Sequence, residues 1–172
     1  MNKKLQPIVQ ALEKEFSAEV DEIFGEAQAA LSVENIVSAC ELLRDKFKFD
    51  LLSMITAVDY GLQEEPRFHV VYQLNSTIDS LFLTLRVPIS GEKPSIPTLI
   101  GVYKNANWRE REIWDLFGIH VEGHPDLRRL LMPKDWEGHP LRKDYPLGYE
   151  EPQFSFNFEE IDLSKPKGEL AL

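Results

Sequence analysis

Cysteine is almost missing. Cys40 is the one thiol among 172 residues, so the chain can close no disulfide on itself and cannot supply four thiolates to an iron-sulfur cluster. No apolar run reaches the roughly 18 residues that a membrane-spanning helix needs. Residues 1–10 also lack the apolar core of a secretory signal. The expectation is a chain that stays in water or meets a membrane only through partners. Basic residues are in deficit: 19 Lys and Arg face 29 Asp and Glu, for a net charge of -10. That balance repels a phosphate backbone and argues against nucleic acid as a partner. It also favours water and basic neighbours over an anionic lipid surface.

What remains is an ordinary globular composition, 43% hydrophobic and 28% charged, enough for one domain and a tail. The charge is unevenly laid out. Residues 108–144 carry 8 acids and 7 bases, whereas residues 145–172 carry 6 and 2. The balanced block also holds all three tryptophans (Trp108, Trp114, Trp136), five of the eight arginines and three of the four histidines. Tryptophan and arginine combine large contact area with directional hydrogen bonds and dominate binding hot spots. The block reads as a recognition surface. The alternative is a last core helix and a proline-braced loop.

Periodicity supplies the frame. Residues 7–16 place Ile8, Leu12 and Phe16 on one helical face behind Pro7. A strand is expected over 26–33, then a helix over 35–46 with Ile36, Cys40 and Leu43 inward, Cys40 as a small buried hydrophobe. Residues 51–59, 67–75 and 80–88 alternate with period two and form an antiparallel meander. His69 falls on its solvent side. A helical turn near 98–103 precedes a helix over 107–117, stopped by Gly118. The fold class expected is α+β, a two-layer sandwich with helices packed on one face of a mostly antiparallel sheet. Six of the eleven prolines follow Gly118, so an extended proline-rich segment should complete the chain. The division expected is a 1–118 domain, a 119–148 irregular segment on partners and a 149–172 acidic tail. In the tail, Phe154, Phe156 and Phe158 alternate with Ser155 and Asn157, as a segment lying extended on a neighbour would.

In the 107–117 helix, Asn107 as N-cap would put Glu110 where a capping box closes. A second reading pairs Glu110 with an arginine at a packed junction. Arg111 and Asp115, at i and i+4, are expected to neutralise one another. Glu112 and Asp115 could in principle ligate metal or work as an acid/base pair, but no Glu-x-x-His motif accompanies them. Beyond the helix, Glu122-Gly123-His124-Pro125 is echoed by Glu137-Gly138-His139-Pro140. Both read as turns in which proline forces the preceding histidine extended. With His120 they invite a zinc reading, yet no thiolate joins them and the spacing spans a bend. A stand-alone hydrolase built on His124, Asp126 and His139 is the rival this pattern leaves open.

The run Glu110-Arg111-Glu112, Asp115-Leu116-Phe117, His124, Arg128, Leu130-Leu131 resembles the signature of the 30-kDa subunit family of respiratory complex I. Residues 135–146 (Asp-Trp-Glu-Gly-His-Pro-Leu-Arg-Lys-Asp-Tyr-Pro), 56–60 and 106–108 are similar to that family too. The resemblance implies a hydrophilic subunit of the peripheral arm of a proton-translocating NADH-quinone oxidoreductase. Its expected partners are the 49-kDa (D) subunit and the B, I and G subunits, on the cytoplasmic side of a bacterial inner membrane. It implies activity only within the complex, and no cofactor on this chain, since FMN and the iron-sulfur clusters belong to partner subunits. Cousins in membrane-bound hydrogenase-type complexes share the signature. The partner-interface candidates are Trp108, Glu110, Arg111, Glu112, Asp115, His124, Asp126, Arg128, Arg129, Trp136, His139, Arg142, Asp144 and Tyr145.

Overall fold

A computed structural model describes residues 4–23 and 26–146. Helix α1 (Gln6–Phe16) opens on Pro7, whose fixed φ suits a first turn, and buries Ile8, Val9 and Leu12. A hairpin of β1 (Glu19–Ile23) and β2 (Glu26–Ala30) follows. Helix α2 (Ile36–Phe47) turns Ile36, Ala39, Cys40 and Leu43 into the core. The long strands β3 (Leu51–Asp59), β4 (Phe68–Ser76) and β5 (Leu81–Ile89) form the expected meander. Then come β6 (Ser95–Pro97), α3 (Ala106–Phe117) and β7 (His120–Glu122).

The sheet order is β1-β2-β5-β4-β3, with β2 parallel to β5 and every other pairing antiparallel. Period-two alternation decides the layering: Phe68, Val70, Tyr72 and Leu74 of β4 and Leu83, Leu85 and Val87 of β5 all face inward and are buried. α1, α2 and α3 contribute to the same hydrophobic cluster, and α3 packs on β3. The result is the α+β two-layer sandwich.

Several local expectations give way. β1, β6 and β7 had no readable signal, because β1 (EVDEI) is an acidic edge and the other two are three residues each. β7 pairs in parallel with β6 and buries Val121, with Ile119 buried just before it, so the irregular stretch starts after Glu122 and not at residue 119. α3 begins one residue early. Asn105 and not Asn107 precedes its first turn, and the Asn105 amide donates to the Leu52 carbonyl at 2.6 Å in place of capping. His69 is half-buried, edge-on to Tyr60 with ring centroids 5.0 Å apart. Burial, with help from Arg86, lowers its pKa. Cys40 is fully buried, and burial pushes its thiol up. The expected tail lies outside the described residues beyond Pro146.

Candidate functional site: a strap wrapped on α3

Residues 123–146 form no regular element but run along α3 as a strap. Both histidine turns serve this docking. Gly123 and Gly138 adopt φ of 77° and 79°, values that glycine takes at no steric cost, and each turns the next histidine toward the helix. His124 Nδ1 accepts the Asp126 N–H at 3.0 Å, so its proton sits on Nε2, which faces the Asn107 carbonyl at 3.3 Å. His139 Nδ1 donates to the Asp115 carbonyl at 2.9 Å. One corner is therefore tied near the start of α3 and the other near its end.

Asp115 is the hub. Its carboxylate is fully buried and accepts three successive backbone N–H groups, from Leu130 (2.9 Å), Leu131 (2.7 Å) and Met132 (3.0 Å). It also takes the Arg129 guanidinium at 2.7 Å. Burial works against the charge, but these donors outweigh it and hold the carboxyl below its usual range. Arg129 reaches on to the carbonyls of Trp136 and Gly138. The expected Arg111–Asp115 pair is replaced. Arg111 donates to the carbonyls of Arg128 and Arg129, both at 3.0 Å, and its guanidinium lies 5.0 Å from the Trp108 ring. The helix spacing permits i,i+4 pairing, yet the strap offers each partner more donors or acceptors than the other could.

Glu110 closes no capping box and meets no arginine. Its fully buried carboxylate receives the Leu99 N–H at 2.6 Å and the Thr98 hydroxyl at 2.7 Å, with His124 Nε2 4.0 Å away. Burial raises its pKa despite those bonds. The far end of the strap is clamped to the sheet. Arg67, between β3 and β4, bonds Asp59 at 2.8 and 2.9 Å and Asp144 at 2.9 and 3.2 Å. The Lys143 N–H donates to Asp59 at 2.8 Å, and Arg142 pairs with Asp144 at 3.1 Å while its guanidinium lies 5.4 Å from the Phe68 ring. Neither Asp59 nor Arg67 stands out in the sequence as a site residue. Asp59 sits in the family-like 56–60 run, but no local pattern announces a contact 84 residues away.

The interface candidates thus divide. Glu110 and Asp115 have no outward surface, and the His124 ring is enclosed. Arg111 is buried and Arg129 nearly so. Trp136, His139, Arg142 and Tyr145 are half-buried in the strap, and Glu112 pairs with Arg109 at 3.2 Å. Asp144 turns into the clamp. Facing outward are Trp108, 60% exposed, and the exposed Arg128–Asp126 pair. Leu131 and Leu141, 61% and 51% exposed, were not among the candidates.

His124, Asp126 and His139 do not assemble as a hydrolase centre. His124 Nε2 and His139 Nδ1 are taken by backbone carbonyls at opposite ends of α3, and among the described residues no three His, Cys, Asp or Glu gather to hold a metal ion. The described helices include none long and apolar enough to cross a membrane.

Residues 29–151 match the family described as respiratory-chain NADH dehydrogenase, 30 Kd subunit. The chain is 47% identical over 163 residues to the C subunit of the NADH-quinone oxidoreductase of Roseiflexus sp. (strain RS-1), covering 90% of this chain and 93% of that one. It is 46% identical over 129 residues to the C subunit of the Geotalea uraniireducens (strain Rf4) enzyme, covering 75% and 78%. Among solved structures it resembles the trypsin-resistant fragment (1-134) of Nqo5, with a TM-score of 0.62 and 30% identity over 72% of this chain and 99% of that one. A chain of the membrane-bound sulfane sulfur reductase, an archaeal respiratory membrane complex, matches with a TM-score of 0.72 and 25% identity, over 85% and 87%.

Proposed function

Because this chain belongs to the respiratory-chain NADH dehydrogenase 30-kDa subunit family, we propose that it is a structural subunit of NADH-quinone oxidoreductase that performs no chemistry itself. In this reading electrons pass from NADH through FMN and iron-sulfur clusters held by other subunits to quinone, coupled to proton translocation. The chain binds none of those groups and lies peripherally, on the cytoplasmic side of the membrane. The 49-kDa subunit is the neighbour assigned to the strap.

One observation carries the reading. The strap is held to the folded chain by Asp115, Arg111, Arg129 and Arg67, which bond its backbone and its Asp144, and this leaves Trp108, Leu131 and Leu141 outward on a backbone that is already fixed. Exposed apolar anchors on a rigid support lose little freedom on docking, which favours recognition over catalysis. Electron transfer depends on fixed distances between groups in different subunits, so a scaffold of this kind can govern the rate without touching an electron.

The test replaces Trp108 by Ala and Leu131 and Leu141 by Asp in cells expressing the complex. The expected result is loss of the chain from the purified complex, loss of NADH:quinone activity, and unchanged secondary structure of the isolated variant. NADH oxidation by the isolated wild-type chain would overturn the reading. A second assignment, the same scaffold in a related membrane-bound complex with another donor or acceptor, draws on the likeness to the archaeal sulfane sulfur reductase. The mass of the intact assembly separates the two.

A further inference from the structure

The sheet has a second face, turned away from the three helices. β3, β4 and β5 present their alternate residues there, from Leu51 and Val58 through Val71 and Thr84 to Phe82 and Pro88. In a chain with 29 acidic residues, these outward positions include no Asp, no Glu and no Lys. Leu51, Val58 and Phe82 are exposed, as is Tyr60 just beyond β3. A water-facing sheet normally carries charge on its outer side. Depletion of charge with retention of aromatics and one arginine marks the centre of an interface.

Arg86 is that arginine. It lies near the middle of β5, the central strand, where it pairs across to Val71 and Ala30. It donates to the Tyr60 hydroxyl and its guanidinium lies 5.8 Å from the Tyr60 ring, but its Nε has no partner, and among the described residues no carboxylate forms an ion pair with it. The unpartnered atoms of Ser53, His69 and Asn75 are themselves covered within the chain, so Arg86, held only by Tyr60, is the charge that the face presents. Three strands of nine residues and part of β2 span roughly 30 by 15 Å, about 450 Å² in projection. That is over half of the ~800 Å² that one partner contributes to a standard interface.

We infer that this open face is a docking surface, separate from the strap, covered in the assembly by a different polypeptide that brings a mostly apolar surface and a carboxylate for Arg86. A second copy of this chain fits less well. Glu19 and Asp21 of β1, in register through Ala30 and Gln28 with Arg86 and Thr84, lie only at the β1 margin of the face, and a two-fold axis near Arg86 would set the two guanidiniums against each other. The inference rests on the subunit reading above, since it needs an assembly to supply the partner.

The single buried cysteine makes the test simple, because wild-type chain offers no exposed thiol. Thr84→Cys places one thiol at the centre of the face, between Gln73 and Gln28, and Gln73→Cys serves if the first variant folds poorly. Maleimide labelling is compared in the purified full-length chain and in the purified intact NADH-quinone oxidoreductase. Labelling slowed by an order of magnitude or more in the complex, together with reduced incorporation of Arg86→Glu and normal incorporation of Arg86→Lys, is the expected result. Equal rates in the two samples overturn the inference while leaving the subunit reading intact. Protection already present in the purified chain at dimeric mass assigns the face to a second copy and overturns it. Protection in native membranes that disappears on detergent extraction, with all subunits retained, assigns the face to lipid and overturns it as well. Absence of the chain from the purified complex overturns the subunit reading and this inference together.

Discussion

Arg67 and Asp144 stand 77 residues apart in sequence and 2.9 Å apart in space. That contact, with Asp59 on the other side of the same guanidinium, joins the end of the strap to the end of β3 and the start of β4. Arg67 is 4% exposed and the Asp59 side chain 1%, so that half of the clamp is shielded from solvent and from salt, whereas Asp144 is partly open to water. Its carboxylates should make the fold acid-sensitive. Burial opposes the charge on Asp59, but Arg67 and the N–H groups of Lys143 and Gly61 hold its carboxyl at about 2, against an ordinary 3.8. Asp144 is held low by Arg67 and Arg142, also against burial. A depressed folded pKa gives stability that is present above the unfolded value and lost as pH falls through the folded one. Urea unfolding should therefore lose about 2 kcal/mol from Asp59 alone as pH drops from ~4 to ~2, and Asp59→Asn should flatten that part of the curve.

Asp115→Ala strips three N–H groups and Arg129 of their acceptor at once. Leaving buried donors and a charge without a partner costs ~3–5 kcal/mol. The strap should come off α3 before the sheet unfolds, which trypsin cutting after Arg128 or Arg129 in the folded variant would report. Equal protease resistance in wild type and variant would show that the hub is dispensable.

Gly118→Ala is expected to be costly for two separable reasons. The residue has φ of 70°, and an added Cβ would stand 2.5 Å from the His139 ring. The backbone part is worth ~1 kcal/mol and the collision adds to it. Combining it with His139→Ala should relieve only the collision, so the double variant should be more stable than the sum of the single effects predicts. Thermal melts of the four proteins measure this.

Glu110 has the opposite sign from the aspartates. Its folded pKa is raised by burial, so the folded chain holds that proton more tightly than the unfolded one. Stability should decline as pH rises from the ordinary carboxyl range, ~4.3, through the folded value. Glu110→Gln should remove the decline. A parallel pH profile in the two proteins would mean that Thr98 and Leu99 compensate the burial fully.

The frame of the fold was legible because it rests on periodicity. Phe68, Val70, Tyr72 and Leu74 alternate without interruption, and Ile36, Cys40 and Leu43 hold a helical stripe. Pairings across the strap were not legible. The Arg111–Asp115 expectation followed a helix rule that assumes water on the outer side, and here the strap replaces the water. Neither the cap nor the arginine partner expected for Glu110 forms, because Thr98 and Leu99 reach its carboxyl from the turn that precedes α3, a contact that no rule for a single helix anticipates. The two glycine-histidine corners were recognised as corners, but their shared purpose needed three dimensions. Only the folded chain shows that one grips each end of α3. Leu131 and Leu141 were missed because exposure cannot be read from a leucine in a proline-rich stretch.

The parallel seating of β2 against β5 has a consequence for how the chain is made. Ala27 registers with Leu83 and Ala29 with Leu85, so the first hairpin cannot be roofed until the meander that follows it exists. During synthesis from the N-terminus the alanine-bearing strand must wait, the edge that β5 will fill left open, while more than fifty further residues emerge. The other edge of that hairpin stays open in the finished sheet, and the carboxylates Glu19, Asp21 and Glu22 strung along β1 guard it against stray strands.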